Sequence, residues 1–264
     1  MRRGVDMLSR FAARRDVLAR RRTCAAWSSA LVIALLFDAD ATAQAQAVGH
    51  ALIVTNNRSQ SVSRPDLHYA DDDGVQYAQL FSELVGAERV TLLTQLDAES
   101  AALHPQVEAR APTRANLDAA VRELADRLRH ARATGERSSV YLVFAGHGDI
   151  ERGQGYLDLA DGRLTARELD ERVIGLLPAE RIHLILDSCN SYFLLNPRKP
   201  GGKRWDSQRH APRDLLGKYP QLGAILSTSA EAVTYEWSEI QSGVFSYEVR
   251  AGLRGAADVN ADGR

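Results

Sequence analysis

Near-continuous apolar runs alternate with helical patterns along most of this chain, and this alternation limits the possible folds more than any other feature. Five runs are rich in β-branched and aliphatic residues: Ala51–Thr55, Val90–Leu93, Val140–Ala145, Ile182–Leu186 and Leu222–Leu226. Apolar runs without polar alternation are typical of strands covered on both faces, as in parallel sheets. The runs therefore predict a buried, mainly parallel sheet.

Helical patterns lie between these runs. One begins near Val75, and another places four residues at intervals of four, three and four, which is one stripe of a helix: Leu117, Val121, Leu124 and Leu128. Thr165 and Glu168 form a capping-box pattern before a third helix that carries Leu169, Val173 and Leu176. Alternating strands and helices predict an α/β protein, a three-layer α/β/α sandwich with helices on both faces of the sheet.

The first 47 residues have the pattern of a secretory signal peptide. Arg20–Arg22 precede a 13-residue uncharged stretch, Ala25–Phe37, and Ala-x-Ala sites follow between Ala41 and Ala47. A membrane-spanning helix needs about 20 apolar residues, so the stretch is short for one. We expect residues 1–47 to be removed and the protein to be secreted or periplasmic, with no membrane association after cleavage. A retained anchor and a core helix are the alternatives.

Charge and cysteine content narrow the function of the remaining chain. The formal net charge is −1 for the whole sequence and −5 without residues 1–47, which argues against nucleic-acid binding. Cys24 would leave with the leader, so Cys189 would remain as the single cysteine and could form no internal disulfide. Cys189 is then a buried hydrophobe, an intermolecular link or a reactive thiol. No CxxC spacing exists, which excludes thiolate zinc sites.

His147 and Cys189 each follow a predicted strand. His147 stands between two glycines after Val140–Ala145, and Cys189 comes shortly after Ile182–Leu186. Ligands of open α/β sheets bind outside the carboxyl ends of the strands. If the two strands are neighbours, the imidazole and the thiol share one crevice. Either residue alone is more often structural, so the pair is what favours catalysis.

A thiol beside an imidazole suits nucleophilic attack on a peptide carbonyl. A free thiol has a pKa of about 8.5, so an imidazole that accepts its proton increases the reactive thiolate. Attack creates an oxyanion, which needs hydrogen-bond donors. The backbone N–H groups of Gly148 and Cys189 lie at the predicted strand ends and are the candidate donors.

The two segments also resemble a known family. FAGHGD (Phe144–Asp149) and LDSCNS (Leu186–Ser191) are similar to the catalytic blocks of caspase-like cysteine peptidases, close to bacterial metacaspases. The resemblance extends over residues 48–257 and implies the caspase-like fold, with His147 as general acid/base, Cys189 as nucleophile and Gly148 in the oxyanion site.

The resemblance further implies a cysteine-type endopeptidase that acts on proteins or peptides and whose chemistry requires no cofactor. The acid two positions before the cysteine, Asp187, is expected to bind Arg or Lys before the scissile bond. Capping of a strand end is the alternative role of Asp187. The oligomeric state is not predicted.

One departure from the family pattern supports a second function. Metacaspase-like chains continue Cys-x-Ser-Gly, whereas Asn190, Ser191 and Tyr192 follow Cys189 here. The alternative to a peptidase is therefore a catalytically weak or inactive caspase-like module that binds peptides or partners. An α/β-hydrolase would need a GxSxG elbow, which is lacking.

Calcium is a further candidate ligand. Residues 258–264 read as the first half of an EF-hand loop, with ligand positions at Asp258, Asn260 and Asp262. Calcium is therefore predicted as an activator or as a weak ligand of this incomplete loop, and a polar tail is the alternative. The run Asp71–Asp73 could bind calcium or line a substrate pocket, although acids also favour helix N-termini.

Two other stretches are predicted to be irregular or antiparallel. Tyr156 and Leu159 precede Asp161-Gly162, a hairpin signal within Gly153–Thr165. Leu194–Arg213 is polar, basic and rich in Pro and Gly, which predicts a long loop. Such a loop is a candidate site of self-cleavage or a solvated basic loop.

Overall fold

The computed structural model describes residues 47–195, 215–227 and 235–260. The strands are β1 (Val48–Asn56), β2 (Val90–Leu93), β3 (Ser138–Gly146), β4 (Gly148–Glu151), β5 (Gln154–Leu159), β6 (Gly162–Thr165), β7 (Arg181–Asp187), β8 (Leu222–Leu226), β9 (Glu236–Trp237) and β10 (Ser242–Gly243). The helices are α1 (Ala70–Val85), α2 (Ala98–Leu103), α3 (Arg114–Ala133), α4 (Ala166–Glu168), α5 (Tyr192–Leu195), α6 (Leu215–Lys218) and α7 (Val244–Ala251).

The five predicted strands form one parallel sheet in the order β2-β1-β3-β7-β8. Alternate residues of each strand enter different layers. On one face, Leu52 and Val54 of β1 pack in the core that contains the α3 stripe. On the other, Ala51 and Ile53 pack with side chains of α1, against which α7 residues also lie. The predicted three-layer α/β/α sandwich is confirmed.

The order of the strands predicts a binding crevice at their carboxyl ends. The chain runs from β1 through α1 to β2, and then returns past β1, through α3, to β3. The direction of travel across the sheet therefore reverses between β1 and β3. At such a switch point the loops after neighbouring strands diverge, which opens a binding crevice at the carboxyl ends.

A second, antiparallel sheet begins just after the carboxyl end of β3. The predicted hairpin exists as β5 and β6, joined at Asp161-Gly162. A strand not predicted from sequence, β4, pairs with β5 to make three strands. Because β4 has only four residues, of which Asp149 and Glu151 are acidic, it lacks the apolar pattern that predicts a strand.

The helix after Thr165 was predicted only in part. The Thr165–Glu168 capping box is present. The chain then continues as a π-type turn, Leu169–Val173, and a 3₁₀ turn, Ile174–Leu176. A π-type turn contains an extra residue, so the buried stripe shifts and Ile174 is buried while Leu176 is 47% exposed.

Several sequence predictions fall partly outside the described residues. Of the predicted leader, residues 1–47, only Ala47 is among the described residues. Asp262 also lies outside them. Leu194 and Leu195, the first residues of the predicted loop, belong instead to α5 and are buried in the core. Residues 196–214 are outside the description. Within the described ranges, no helix has the length and hydrophobicity needed to cross a membrane.

The three aspartates of α1 lie in its first turn, as predicted, but they make tertiary contacts. The N-cap residue, Tyr69, makes no side-chain cap hydrogen bond. Asp71 accepts hydrogen bonds from Asn57 Nδ2 (2.7 Å) and from the backbone N–H of Asp97 (2.8 Å). The cluster therefore ties α1 to neighbouring loops.

Asp72 is expected to cost stability at neutral pH. Burial, with the nearby charge of Asp71, raises the pKa of Asp72 to about 6. The folded state thus holds this proton more tightly than the unfolded state, and ionisation disfavours folding as pH rises from about 4 to about 6. We expect Asp72→Asn to raise the free energy of unfolding by about 1 kcal/mol at pH 7.5, after allowance for partial exposure, and to have little effect at pH 4.

Thermal or urea unfolding at the two pH values measures this effect. Asp71→Asn is the matched control, since it weakens two hydrogen bonds to a buried carboxylate and should destabilise the protein at pH 7.5. A destabilised Asp72→Asn protein at pH 7.5 would contradict the assignment.

Candidate active site

Strand register brings His147 and Cys189 to adjacent strand ends. Ala145 of β3 pairs with Asp187 of β7 in the parallel sheet. His147 and Cys189 each lie two residues beyond this pair. His147 is buried and Cys189 is half-buried. β3 and β7 are therefore neighbours, which a crevice shared by the imidazole and the thiol requires.

Two glycines flank His147 where the backbone has little room. A Cβ atom at Gly146 would lie 2.7 Å from the carbonyl oxygen of Asn56. A Cβ atom at Gly148 would lie 2.9 Å from Ser188 Oγ and 3.0 Å from the carbonyl oxygen of Cys189. At Gly148, the loop that carries His147 and the loop that carries Cys189 therefore pack so closely that a side chain would not fit between them.

The imidazole of His147 is held by a backbone carbonyl. Nε2 of His147 lies 3.0 Å from the oxygen of Pro65, in the loop after β1. Because a carbonyl only accepts, Nε2 carries the proton and Nδ1 is the basic nitrogen of the neutral ring. Burial, together with the positive charge of Arg64, lowers the pKa of His147 below its usual value. The ring is therefore neutral at neutral pH and able to accept a proton.

Asp187 is buried at the wall of a small pocket. Its Oδ2 accepts hydrogen bonds from the backbone N–H of Ser246 (3.1 Å) and from Ser246 Oγ (2.6 Å). Burial raises the pKa of Asp187 above its usual value. The side chain thus accepts from the backbone of α7 and lines the pocket, and its binding of a substrate Arg or Lys stays a prediction.

The same pocket contains acids from two other elements. Its lining includes Asp73 of α1, Asp187 of β7 and Glu236 of β9, beside Ala145 and Gly146. Three carboxylates at the carboxyl end of β3 make the pocket suitable for a cationic side chain.

The other two acids, Asp73 and Glu236, also have partners. Asp73 pairs with the buried Arg250 at 2.7 Å and accepts from the backbone N–H of Gly243 at 2.9 Å. Burial nevertheless raises the pKa of Asp73 to about 6. Glu236 accepts from the backbone N–H groups of His68 and Tyr69 at the start of α1.

Asp73 was predicted as a pocket residue among other roles, whereas Glu236, Arg250 and Pro65 were not predicted from sequence. Glu236 and Arg250 contact residues that precede them by more than 160 positions, and Pro65 acts through its backbone. A polar residue in the apolar stripe of α7 was the one signal for Arg250.

The candidate calcium ligands are not assembled within the described residues. Asp258 and Asn260 lie at the end of the last described range, and Asp262 lies beyond it. Over ranges 47–195, 215–227 and 235–260, no group of three or more His, Cys, Asp or Glu side chains could hold a metal ion. Calcium binding by the C-terminal loop stays a prediction.

Comparison with known proteins identifies the family. A caspase-domain family model matches residues 48–261. The chain belongs to the caspase-domain family. The domain is therefore of the cysteine-peptidase type in general, and proteins or peptides are its general class of substrate. No curated protein matches the chain.

Solved structures of the family can also be compared. Caspase-1 from Spodoptera frugiperda matches with 13% sequence identity and a TM-score of 0.48, over 79% of this chain and 69% of that chain. In the present chain, His147 and Cys189 follow the adjacent strands β3 and β7.

Proposed function

We propose that this caspase domain is an exported cysteine endopeptidase in which His147 and Cys189 form the catalytic dyad. The observation that carries the proposal is the register of β3 and β7, since both residues follow the Ala145–Asp187 pair by two positions. The hydrogen bond to Pro65 leaves the basic Nδ1 of His147 available. The half-buried position of Cys189 leaves part of its surface open to a substrate.

The proposed reaction proceeds through an acyl-enzyme. Nδ1 of His147 accepts the thiol proton, and the thiolate of Cys189 attacks the scissile carbonyl carbon. The backbone N–H groups of Gly148 and Cys189 stabilise the oxyanion. The C–N bond then breaks, and the imidazolium donates its proton to the departing amine. Water, deprotonated by the same imidazole, hydrolyses the thioester and regenerates the thiol.

The acidic pocket supports cleavage after Arg or Lys. Of its three carboxylates, Asp73 is neutralised by Arg250 and Glu236 is engaged by backbone N–H groups of α1. Asp187 accepts from uncharged groups of Ser246, so its charge is compensated by no direct ion pair among the described contacts. Asp187 is therefore the acid best suited to pair with a substrate cation.

Peptide reporters with Arg, Lys or Asp before the scissile bond test this function. We expect Arg and Lys reporters to be cleaved and the Asp reporter to be cleaved at least about 100-fold more slowly, because a buried acid repels a like charge. Each reaction is run with calcium and with a chelator, so that activation by calcium is read in the same experiment. Faster cleavage after Asp than after Arg would overturn the role of Asp187.

Wild-type protein and Cys189→Ala are compared with every reporter. If wild-type protein binds the peptides but cleaves none, the caspase domain is a binding module.

Export is proposed from the leader-like residues 1–47. N-terminal sequencing of protein recovered from the secreted or periplasmic fraction would test it. A start at Val48 is the expected result, and full-length protein confined to the cytoplasm would contradict it.

A further inference from the structure

Asp149 lies beside both loops of the proposed active site without being part of the acidic pocket. It follows Gly148 in β4, and its carboxylate contacts groups of its own strand and of two other segments. Oδ1 accepts from Asn190 Nδ2 (3.1 Å) and from the backbone N–H of Ile150 (2.8 Å), and Oδ2 accepts from the guanidinium of Arg64. Asp149 thus joins the loop after β1 to the loop after β7.

Arg64 connects Asp149 to the imidazole. Arg64 immediately precedes Pro65, whose carbonyl oxygen accepts from Nε2 of His147. A second guanidinium nitrogen of Arg64 donates to the carbonyl oxygen of Gly148 at 3.3 Å. The ion pair with Asp149 therefore holds the loop whose carbonyl orients the ring of His147.

Asn190 connects Asp149 to the thiol. Asn190 directly follows Cys189 and has a φ of +56°, a left-handed conformation that Asn adopts more readily than most residues. Its side-chain amide donates to Asp149. This bond fixes the backbone on the carboxyl side of Cys189 and explains how the loop is held where the family pattern has other residues.

We propose that Asp149 is a positioning residue that keeps the imidazole of His147 and the thiol of Cys189 in productive alignment. The inference rests on the proposed peptidase function. Asp149 does not line the acidic pocket, so its loss should affect the chemical step rather than substrate binding. Misplacement of reacting groups by about 1 Å costs up to about 100-fold in rate.

Three variants separate the contacts of Asp149. Asp149→Ala removes all of them, and we expect kcat to fall by about 10- to 100-fold while KM changes by less than about threefold. Asp149→Asn keeps an acceptor for Asn190 and loses the charge that pairs with Arg64, so its kcat should lie between those of Asp149→Ala and wild type. Asn190→Gly permits the positive φ without strain and removes the side-chain bond to Asp149. Its kcat should also be intermediate.

Glu151→Ala is the matched control. Glu151 lies two residues further along β4, pairs with Arg163 at 3.1 Å and is exposed. Its loss changes the charge of the same strand and should leave kcat at the wild-type value. Equal losses in Glu151→Ala and Asp149→Ala would assign the effect to general charge and overturn the inference.

Alkylation of Cys189 by iodoacetamide provides a readout independent of proteolysis. Its rate at pH 7 is measured by peptide-resolved mass spectrometry, so that Cys24 is counted separately. We expect Asp149→Ala to slow alkylation of Cys189 several-fold, because a displaced imidazole no longer accepts the thiol proton, and Asp149→Asn to restore part of the rate.

The two readouts distinguish failure of the inference from failure of the proposed function. A wild-type protein that cleaves no reporter contradicts the peptidase, and alkylation still decides the role of Asp149. Wild-type kcat and alkylation in a folded Asp149→Ala protein overturn the inference. If that variant fails to melt cooperatively, Asp149→Asn and Asn190→Gly decide by the same criteria.

Discussion

Replacing Cys189 with alanine is expected to lower kcat/KM for an Arg reporter by at least about 10³-fold, because the proposed reaction has no other nucleophile. His147→Ala should cause a loss of similar size, since the thiol would then lack the group that accepts its proton. The double variant should be no slower than either single variant. Residues that act as one unit are strongly non-additive, and this behaviour is the signature of a dyad. Steady-state hydrolysis of one reporter by all three proteins measures it.

Cys24→Ser is the matched control for the nucleophile. It removes the only other cysteine of the chain and lies in the predicted leader, so activity should equal that of wild type. Unfolding curves of each variant check that the fold is kept. Additive losses in the double variant, or activity that persists in folded Cys189→Ala, would contradict the dyad.

Replacing Asp187 with asparagine is expected to reduce kcat/KM for an Arg reporter by about 100-fold, because one partner of a buried charge pair with the substrate is removed. A citrulline reporter is the matched substrate, since it has nearly the shape of arginine without the charge. The variant should cleave citrulline and Arg reporters at similar rates, whereas wild type should strongly prefer Arg. A preference for Arg that survives in folded Asp187→Asn would show that another group recognises the cation.

Ser246→Ala is the matched control for this substitution. It removes one hydrogen bond to Asp187 and keeps the carboxylate, so the preference for Arg over citrulline should be largely retained. A loss of preference as large as in Asp187→Asn would assign the effect to the position of α7 rather than to the charge.

The pH dependence of KM should reflect the same pocket. Burial raises the pKa of Asp187 above its usual value and that of Asp73 to about 6. Both carboxyl groups therefore take up protons at a higher pH than exposed aspartates do. We expect KM for the Arg reporter to rise as pH falls from 7 to 5, while KM for the citrulline reporter stays nearly constant. A KM for Arg that is independent of pH over this range would contradict the pocket assignment.

Hydrophobic patterns in the sequence predicted most of the strands and helices, but they failed where a segment is short and polar or irregular in its backbone repeat. The apolar runs located all five strands of the main sheet, since each run records the burial of its own residues. The same argument failed for β4, which is short and acidic, and for Leu176, because a π-type turn shifted the buried face of its segment. Periodicity reports burial only where the backbone keeps a regular repeat.

The sequence alone identified the five strands of the main sheet. It also indicated His147, Cys189 and Asp187 as residues of one proposed peptidase site. Only the tertiary structure decided that β3 and β7 are neighbours in a register that aligns these residues, and that Arg250 neutralises Asp73. The tertiary structure also revealed that the carbonyl oxygen of Pro65 accepts a hydrogen bond from Nε2 of His147. Strand order and such contacts join segments from about 40 to more than 170 residues apart. They follow from the packing of whole layers, which no local pattern of residues encodes.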